Sequence, residues 1–258
     1  VECYKKLGLS YIEPEIREDA GEIEIAMKNN LPKLVEINDI RGDLQMHTKW
    51  SDGNNSVLEM AQEAEKLGHE YMLITDHLGK AGMGNAMDES KLHEQKKEIE
   101  EANKKVKIRI LQGAEVNIQT DGSLDVSDKI LKELDIVIGS VHFGFKKPKE
   151  INTKRLIKAM ENENIDIIGH PTGRLLNERP RIELDFDGIL DKAKATKTIL
   201  EINALSKRLD LSDVHIKAAV KSGIKLSIGT DSHDSNMLKN YILGVYTARR
   251  GWATKNDI

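Results

Sequence analysis

The chain has 258 residues (29.0 kDa), 39% of them hydrophobic and 32% charged, with 5 prolines and no biased tract. That describes a folded chain long enough for one large core and leaves no room for a long disordered tail. A net charge of -4 does not advertise nucleic-acid binding. No stretch approaches the ~18 apolar residues of a membrane span, and the start is neither a signal nor a transit peptide, so a cytoplasmic protein is expected. The single cysteine, Cys3, cannot form an internal disulfide and is read as incidental.

Residues 1–38 contain Pro14, Pro32 and two amphipathic stretches but no cluster of ligand-type side chains. They read as a linker or partial helical segment packing on the main domain, residues 39–258. There the chain settles into a repeating unit, a short apolar run followed by a helical pattern. The first run, Leu44-Gln45-Met46-His47, leads through the turn residues Ser51-Asp52-Gly53-Asn54-Asn55. A helix follows, with Val57, Leu58, Ala61, Ala64 and Leu67 at helical spacing and Gly68 as the stop. The second run, Met72 to His77, precedes a glycine-rich loop from Gly79 to Gly84 and a mostly exposed helix over 88–105. The third, Ile110 to Glu115, leads past the Asp121-Gly122 turn to a helix over 128–134. The fourth, Ile136 to His142, leads to a helix over 153–162, and the fifth, Ile167 to His170, to a long loop and a short helix over 186–195. The sixth, Thr198 to Asn203, precedes a helix over 212–222. The seventh, Lys225 to Ile228, runs on into Gly229-Thr230-Asp231-Ser232-His233. Trp252 to Ile258 reads as the opening of a further helix, and the chain as a fragment of something longer.

A continuous apolar run is what a strand buried on both faces looks like, and polar side chains at its carboxyl end are where α/β barrels keep their chemistry. Seven such units predict a seven-stranded α/β barrel with ligand residues at its mouth. No repeat of fixed period accompanies them, so a solenoid is excluded. Absence of a GxxxxGK[ST] loop and a GxSxG elbow removes two rival enzyme classes.

The candidate ligands are His47, Asp52, His77, Glu115, His142, His170, Asp231 and His233, with Gln45 and Asp76 beside them. One strand-end histidine alone reads as a buried imidazole hydrogen-bonded to its neighbours. Five of them with three carboxylates around one axis would be costly to bury without a cation. Mixed imidazole and carboxylate sets suit zinc, manganese or iron, and a shared carboxylate lets two ions sit close together. His69, His93 and His215 fall within helices or at their ends and read as packing or surface residues. Three basic clusters, Lys146/Lys147/Lys149, Arg174/Arg179/Arg181 and Lys207/Arg208, are either local anion-binding surface or ordinary solvated charge.

Taken in order, Gln45-Met46-His47 with Ser51-Asp52-Gly53, Thr75-Asp76-His77, Gly113-Ala114-Glu115, Ser140-Val141-His142, Gly169-His170-Pro171 and Thr230-Asp231-Ser232-His233 resemble the successive motifs of the PHP (polymerase and histidinol phosphatase) phosphoesterase superfamily. More closely, Asp39-Ile40-Arg41-Gly42-Asp43-Leu44, His170 to Leu176 and Leu200-Glu201-Ile202-Asn203 are similar to the carboxyl-terminal PHP domain of bacterial and archaeal family X DNA polymerases. Gly8 to Ile12 and Glu15 to Glu18 resemble the segment joining that domain to the polymerase portion.

The resemblance implies a distorted, TIM-like (βα)7 barrel with two or three divalent ions. It places one ion on His47, Glu115 and Asp231, a second on Glu115, His142 and His170, and a third on Asp52, His77 and His233. Glu115 then bridges, and Glu115, Asp231 and His142 are the expected catalytic residues, with Arg174 first and Arg208 second as substrate-binding groups. The family's first motif is usually H-x-H, so Gln45 stands where an imidazole is expected and is a weak or absent ligand. Asp43, two residues earlier, either helps that metal or serves the strand start.

The implied activity is hydrolysis at DNA ends. A 3′-5′ exonuclease comes first, with 3′-phosphatase or abasic-site cleavage as variants, and the implied partners are DNA and a preceding polymerase portion. Two alternatives stand beside it. One is a small-molecule phosphatase of the histidinol phosphate type, and the other is a metal-stapled interaction module whose chemistry has lapsed.

Overall fold

The computed structural model describes residues 1–79 and 85–258; of the glycine-rich loop expected over 79–84, all but Gly79 lie outside the described residues. Before the barrel come α1 (Glu2–Lys6), a 3-10 turn (Pro14–Ile16) and α2 (Glu22–Met27). Ile12, Ile16, Ala26 and Leu34 from this segment pack on Trp252, and the Arg249 guanidinium bonds Glu15 and the Val35 carbonyl at 2.6 and 3.0 Å.

The barrel strands are β1 (Gly42–Asp43), β2 (Tyr71–Ile74), β3 (His77–Leu78), β4 (Arg109–Asn117), β5 (Ile136–Ser140), β6 (Ile167–Ile168), β7 (Ile199–Asn203) and β8 (Leu226–Gly229). All pairings are parallel in the order β1-β2-β4-β5-β6-β7-β8, and β3 also pairs with β4. β2 and β3 are thus two pieces of one strand position, which gives the seven positions expected. The His47 and Asp231 amides donate to the Ser232 and Gln45 carbonyls at 2.8 and 2.9 Å, so the first and last strands meet and the barrel is nearly closed.

Around it lie α3 (Val57–Lys66), α4 (Glu89–Asn103), α5 (Asp128–Leu131), α6 (Lys149–Met160), α7 (Phe186–Thr196), α8 (Asp213–Ser222) and α9 (Tyr241–Arg250). α3 begins where Ser56 accepts from the Glu59 amide and Glu59 reaches back to the Ser56 amide, a reciprocal cap that fixes the first turn. Leu73, Ile138 and Ile167, joined by Leu44, Leu111, Ile136 and Ile199, come from strands all round the ring and touch one another, so they fill its interior. A larger cluster, with Val116, Ile168, Leu200, Ile202 and Ile228 against Leu156, Ile189, Ile216 and Val245, forms the layer between strands and helices.

Three local expectations need correction. The helix expected from 153 starts at Lys149, directly after Pro148, whose fixed φ suits a helix start. His77 does not close the second strand but opens β3, because the strand breaks at Thr75-Asp76. Trp252 to Ile258 forms turns rather than a helix. Trp252 has φ +66°, and the Asp257 carbonyl accepts from the Leu226 amide at 2.8 Å, holding the segment against β8.

Candidate metal centre

Glu115 lies two residues before the carboxyl end of β4, the nine-residue strand, and faces His77 across the β3–β4 register. Its carboxylate is the hub of the mouth. Oε1 is 3.2 Å from His142 Nε2 and 2.9 Å from His170 Nε2. Oε2 is 3.5 Å from His47 Nε2 and 3.4 Å from His77 Nδ1. Each oxygen therefore faces its own pair of imidazoles.

A second set surrounds Asp52, whose Oδ2 is 3.6 Å from His77 Nε2 and 3.4 Å from His233 Nε2, while Oδ1 is 3.7 Å from His47 Nδ1. Asp231 Oδ1 lies 3.3 Å from His47 Nε2. The structure thus brings all eight expected ligands together. By contrast His69 packs edge-on to Tyr241, His93 meets Glu133 at 2.9 Å and His215 stacks on Phe186, all away from this cluster.

The spacing suits a shared cation better than direct hydrogen bonds. Two ligands each about 2.1 Å from one tetrahedral ion sit about 3.4 Å apart. His47 is fully buried between the rings of His77 and His233 at 4.6 and 4.3 Å, and among the described residues neither of its nitrogens has a hydrogen-bond partner. Ligand atoms of His47, Asp52, His77 and His233 lie within 4.8 Å of one another, as do those of His77, Glu115 and His142. The residues present fit divalent metal.

Neighbouring groups orient these side chains. His142 Nδ1 is 2.7 Å from Asn117 Oδ1, and His233 Nδ1 is 2.9 Å from the Asp231 carbonyl, so each ring can donate there and turn Nε2 towards a carboxylate. Asp76 holds the loop that carries Asp52. It accepts from the Thr48 amide (2.7 Å), Thr48 Oγ1 (2.6 Å), Ser51 Oγ (2.5 Å) and Gln95 Nε2 (2.7 Å).

Burial alone would raise the carboxylates, but imidazoles overcome it. Asp52 is held well below its ordinary range by His233, His77 and His47, and Asp231 by His47 and Arg208. His142, His170 and His77 do the same for Glu115. In return, Asp52 and Asp231 raise His233 to about 9 against its own burial. Burial, then the charge of Arg208, pushes the enclosed His170 down to about 4.

Two residues of β7 complete the site from beneath, and neither was singled out as a site residue from sequence. Glu201 Oε2 accepts from the His170 amide at 2.7 Å, and Asn203 Nδ2 is 3.2 Å from both Glu201 Oε2 and Asp231 Oδ2. His170 and Asp231 adopt φ of +29° and +53°, a region L-residues rarely occupy, so β7 clamps a strained candidate ligand on each neighbouring strand. Burial, then the charges of Asp231 and Glu115, pushes the Glu201 carboxyl well above its ordinary range. The sequence signals were the resemblance carried by Leu200-Glu201-Ile202-Asn203, which gave these two residues no role, and an acidic residue and an amide two apart on one face of an otherwise apolar strand.

Gln45 is buried with Oε1 3.5 Å from Asn203 Nδ2. Asp43 serves the strand start. It accepts from the Gln45 amide (3.1 Å), the Thr230 amide (3.0 Å) and Thr230 Oγ1, and so latches the strand start to the end of β8. Of the two arginines, Arg208 is the one at the cluster, with Nε 3.3 Å from Asp231 Oδ2. Arg174 instead donates Nε to the Arg208 carbonyl at 2.9 Å and Nη2 to the Leu209 carbonyl, holding the loop on which Arg208 stands.

Residues 43–205 match the model of the PHP domain family. The chain belongs to the PHP domain family. It is 44% identical over 257 residues to the DNA polymerase/3′-5′ exonuclease PolX of Bacillus subtilis, covering 99% of this chain but only 45% of that protein. A probable phosphatase of Clostridium acetobutylicum is 32% identical over 210 residues, 77% of this chain and 81% of that one. Among solved structures, histidinol phosphate phosphatase from Lactococcus lactis, complexed with zinc, L-histidinol and phosphate, aligns with a TM-score of 0.59 at 19% identity, over 81% of this chain and 93% of its own. A Listeria monocytogenes protein assigned as a histidinol phosphatase aligns at 0.63 and 18%, over 76% and 97%. These two share the barrel fold. As a PHP domain, the chain is a metal-dependent phosphoesterase and hence a hydrolase.

Proposed function

We propose that this domain is a metal-dependent 3′-5′ exonuclease acting on DNA ends, the phosphoesterase part of a family X DNA polymerase working in the cytoplasm. In this reading residues 1–38 are the joining segment and 39–258 the catalytic domain. The observation that carries it is Glu115, whose two oxygens face two separate imidazole pairs, as a carboxylate bridging two ions must. The 44% identity to a DNA polymerase/3′-5′ exonuclease across almost the whole chain supports DNA as the substrate.

The metal sets would be His47, Glu115 and Asp231, with Gln45 as at most a weak neutral ligand; Glu115, His142 and His170; and Asp52, His77 and His233. Zinc, manganese or iron in them would polarise the phosphoryl group and make water nucleophilic at neutral pH. The chain's own groups do the rest. Asn117 and the Asp231 carbonyl fix the His142 and His233 rings, β7 fixes the His170 backbone and the Asp231 carboxylate, and Asp76 fixes the Asp52 loop. Arg208 presents a fixed positive charge beside Asp231, where it can hold a non-bridging phosphate oxygen.

The test is degradation of a 5′-labelled single-stranded oligonucleotide with added manganese, comparing wild type with His142→Ala. A ladder of shortened products from wild type alone is expected. A second reading, a small-molecule phosphatase, is favoured by the 31–34% identity to probable phosphatases that this domain spans at up to 81% of their length. It predicts rapid release of phosphate from phosphomonoesters and an intact oligonucleotide. Bound metal with turnover of neither substrate would contradict both.

A further inference from the structure

The rim of the metal centre is electrically lopsided. The segments following β5, β6 and β7 carry Lys146, Lys147 and Lys149, then Arg174, Arg179 and Arg181, then Lys207 and Arg208. Against these eight cations stand four carboxylates: Glu178, already paired with Lys207 at 3.4 Å, Glu183, Asp185, and Asp210, which is buried and accepts from the Thr172 amide and Oγ1 at 3.0 and 2.8 Å. Across the mouth, the segments following β1, β3 and β4 carry Asp52, Asp88, Asp121 and Asp125, with Lys49 the one cation there among the described residues. In a chain of net charge -4, that is a concentrated positive half-rim facing an acidic one.

Surface lysines are usually no more than solvated charge. Here they belong to three loops locked into one platform. The Arg179 guanidinium lies 3.6 Å from the Phe145 ring centroid and donates to the Gly173 carbonyl at 3.0 and 2.7 Å. The Leu176 amide donates to the Lys207 carbonyl at 2.6 Å, and Arg174 ties in the Arg208 and Leu209 carbonyls. The platform reaches the catalytic centre through Arg208 beside Asp231.

We propose that the β5–β7 loops are the track along which a single DNA strand runs to the metal centre, its phosphates on the lysines and arginines and its leading end over Arg208. A single strand is proposed because Glu115 and His170 are only 2% and 1% exposed, access that suits a narrow strand end better than the side of a duplex. This inference rests on the nuclease reading above.

The test uses Lys146→Glu/Lys147→Glu/Lys149→Glu, three exposed positions outside the metal cluster, with the triple alanine variant as a milder check on folding. Metal-loaded proteins are compared for binding of a 5′-labelled single-stranded oligonucleotide by fluorescence anisotropy across a salt series, and for hydrolysis of bis(p-nitrophenyl) phosphate. The charge reversal is expected to weaken oligonucleotide binding at least about tenfold and to flatten its salt slope by roughly 2, with small-diester turnover unchanged. Wild type that degrades the oligonucleotide, together with variants that bind it equally well at every salt, would overturn the track alone. Wild type that hydrolyses the small diester yet neither binds nor degrades the oligonucleotide would overturn the nuclease reading and the track with it.

Discussion

Asp76 and Glu115 are both buried carboxylates at the mouth of the same barrel, one between β2 and β3 and the other on the adjacent β4, yet they are surrounded by opposite chemistry. Asp76 meets neutral donors from Thr48, Ser51 and Gln95, all at 2.5–2.7 Å. Its lone pairs are committed, and its work is to hold a loop. Glu115 meets four imidazoles, three of them at 3.2–3.5 Å, and these are side chains that trade a proton for a metal ion. A buried charge by itself therefore says little about function. What decides is whether its partners are permanent donors or exchangeable ligands.

Glu115→Gln should break the comparison most severely. It removes the charge serving two ions, so bound metal should drop and turnover fall by more than about a hundredfold, well beyond the loss from Gln45→Ala. Similar residual activity and metal content in the two variants would remove the bridging role. Asp76→Asn should be intermediate, because one amide NH2 would then point at donors. A weakening of metal affinity of about 10–100-fold is expected, with activity recovered at high metal concentration. No recovery would mean that Asp76 does more than position. Gln45→His should tighten the first metal several-fold, roughly the gain of a neutral imidazole nitrogen over an amide oxygen; superimposable metal titrations would refute it.

The smallest effect lies outside the mouth. Burial, then the charges of Arg181 and Arg174, pushes His215 down to about 4. A histidine lowered on folding favours the neutral native state, so its contribution is complete above the unfolded value of about 6.5 and declines as pH falls from there towards 4. Urea midpoints at pH 7 and pH 5 should therefore differ more for wild type than for His215→Asn. Equal differences would mean that His215 is not responsible.

How much of this was readable depends on where each partner comes from. Barrel and ligands were legible because runs such as Ile136-Val137-Ile138-Gly139 are buried on both faces and end in a polar residue that stands out against them. The break between β2 and β3 was hidden, since Thr75 and Asp76 continue the run in sequence while their side chains bond across to Met46 and Thr48. The role of Arg174 was invisible because its partners are backbone carbonyls, which every residue has. α9 was masked by Gly244, a poor helix former, retained where Ile228 and Ala204 leave no room for a side chain. Trp252 and Ala253 imitated a helix start because they are apolar, but they are buried against the N-terminal segment and the core in a turn.

The most direct test of the shared carboxylate is anomalous diffraction from crystals of this domain soaked in manganese. The account predicts at least two peaks within about 4 Å of each other with the Glu115 carboxylate between them, one beside His142 and His170 and the other beside His47. A single peak with Glu115 bound to one ion, or peaks away from Glu115 altogether, would contradict it.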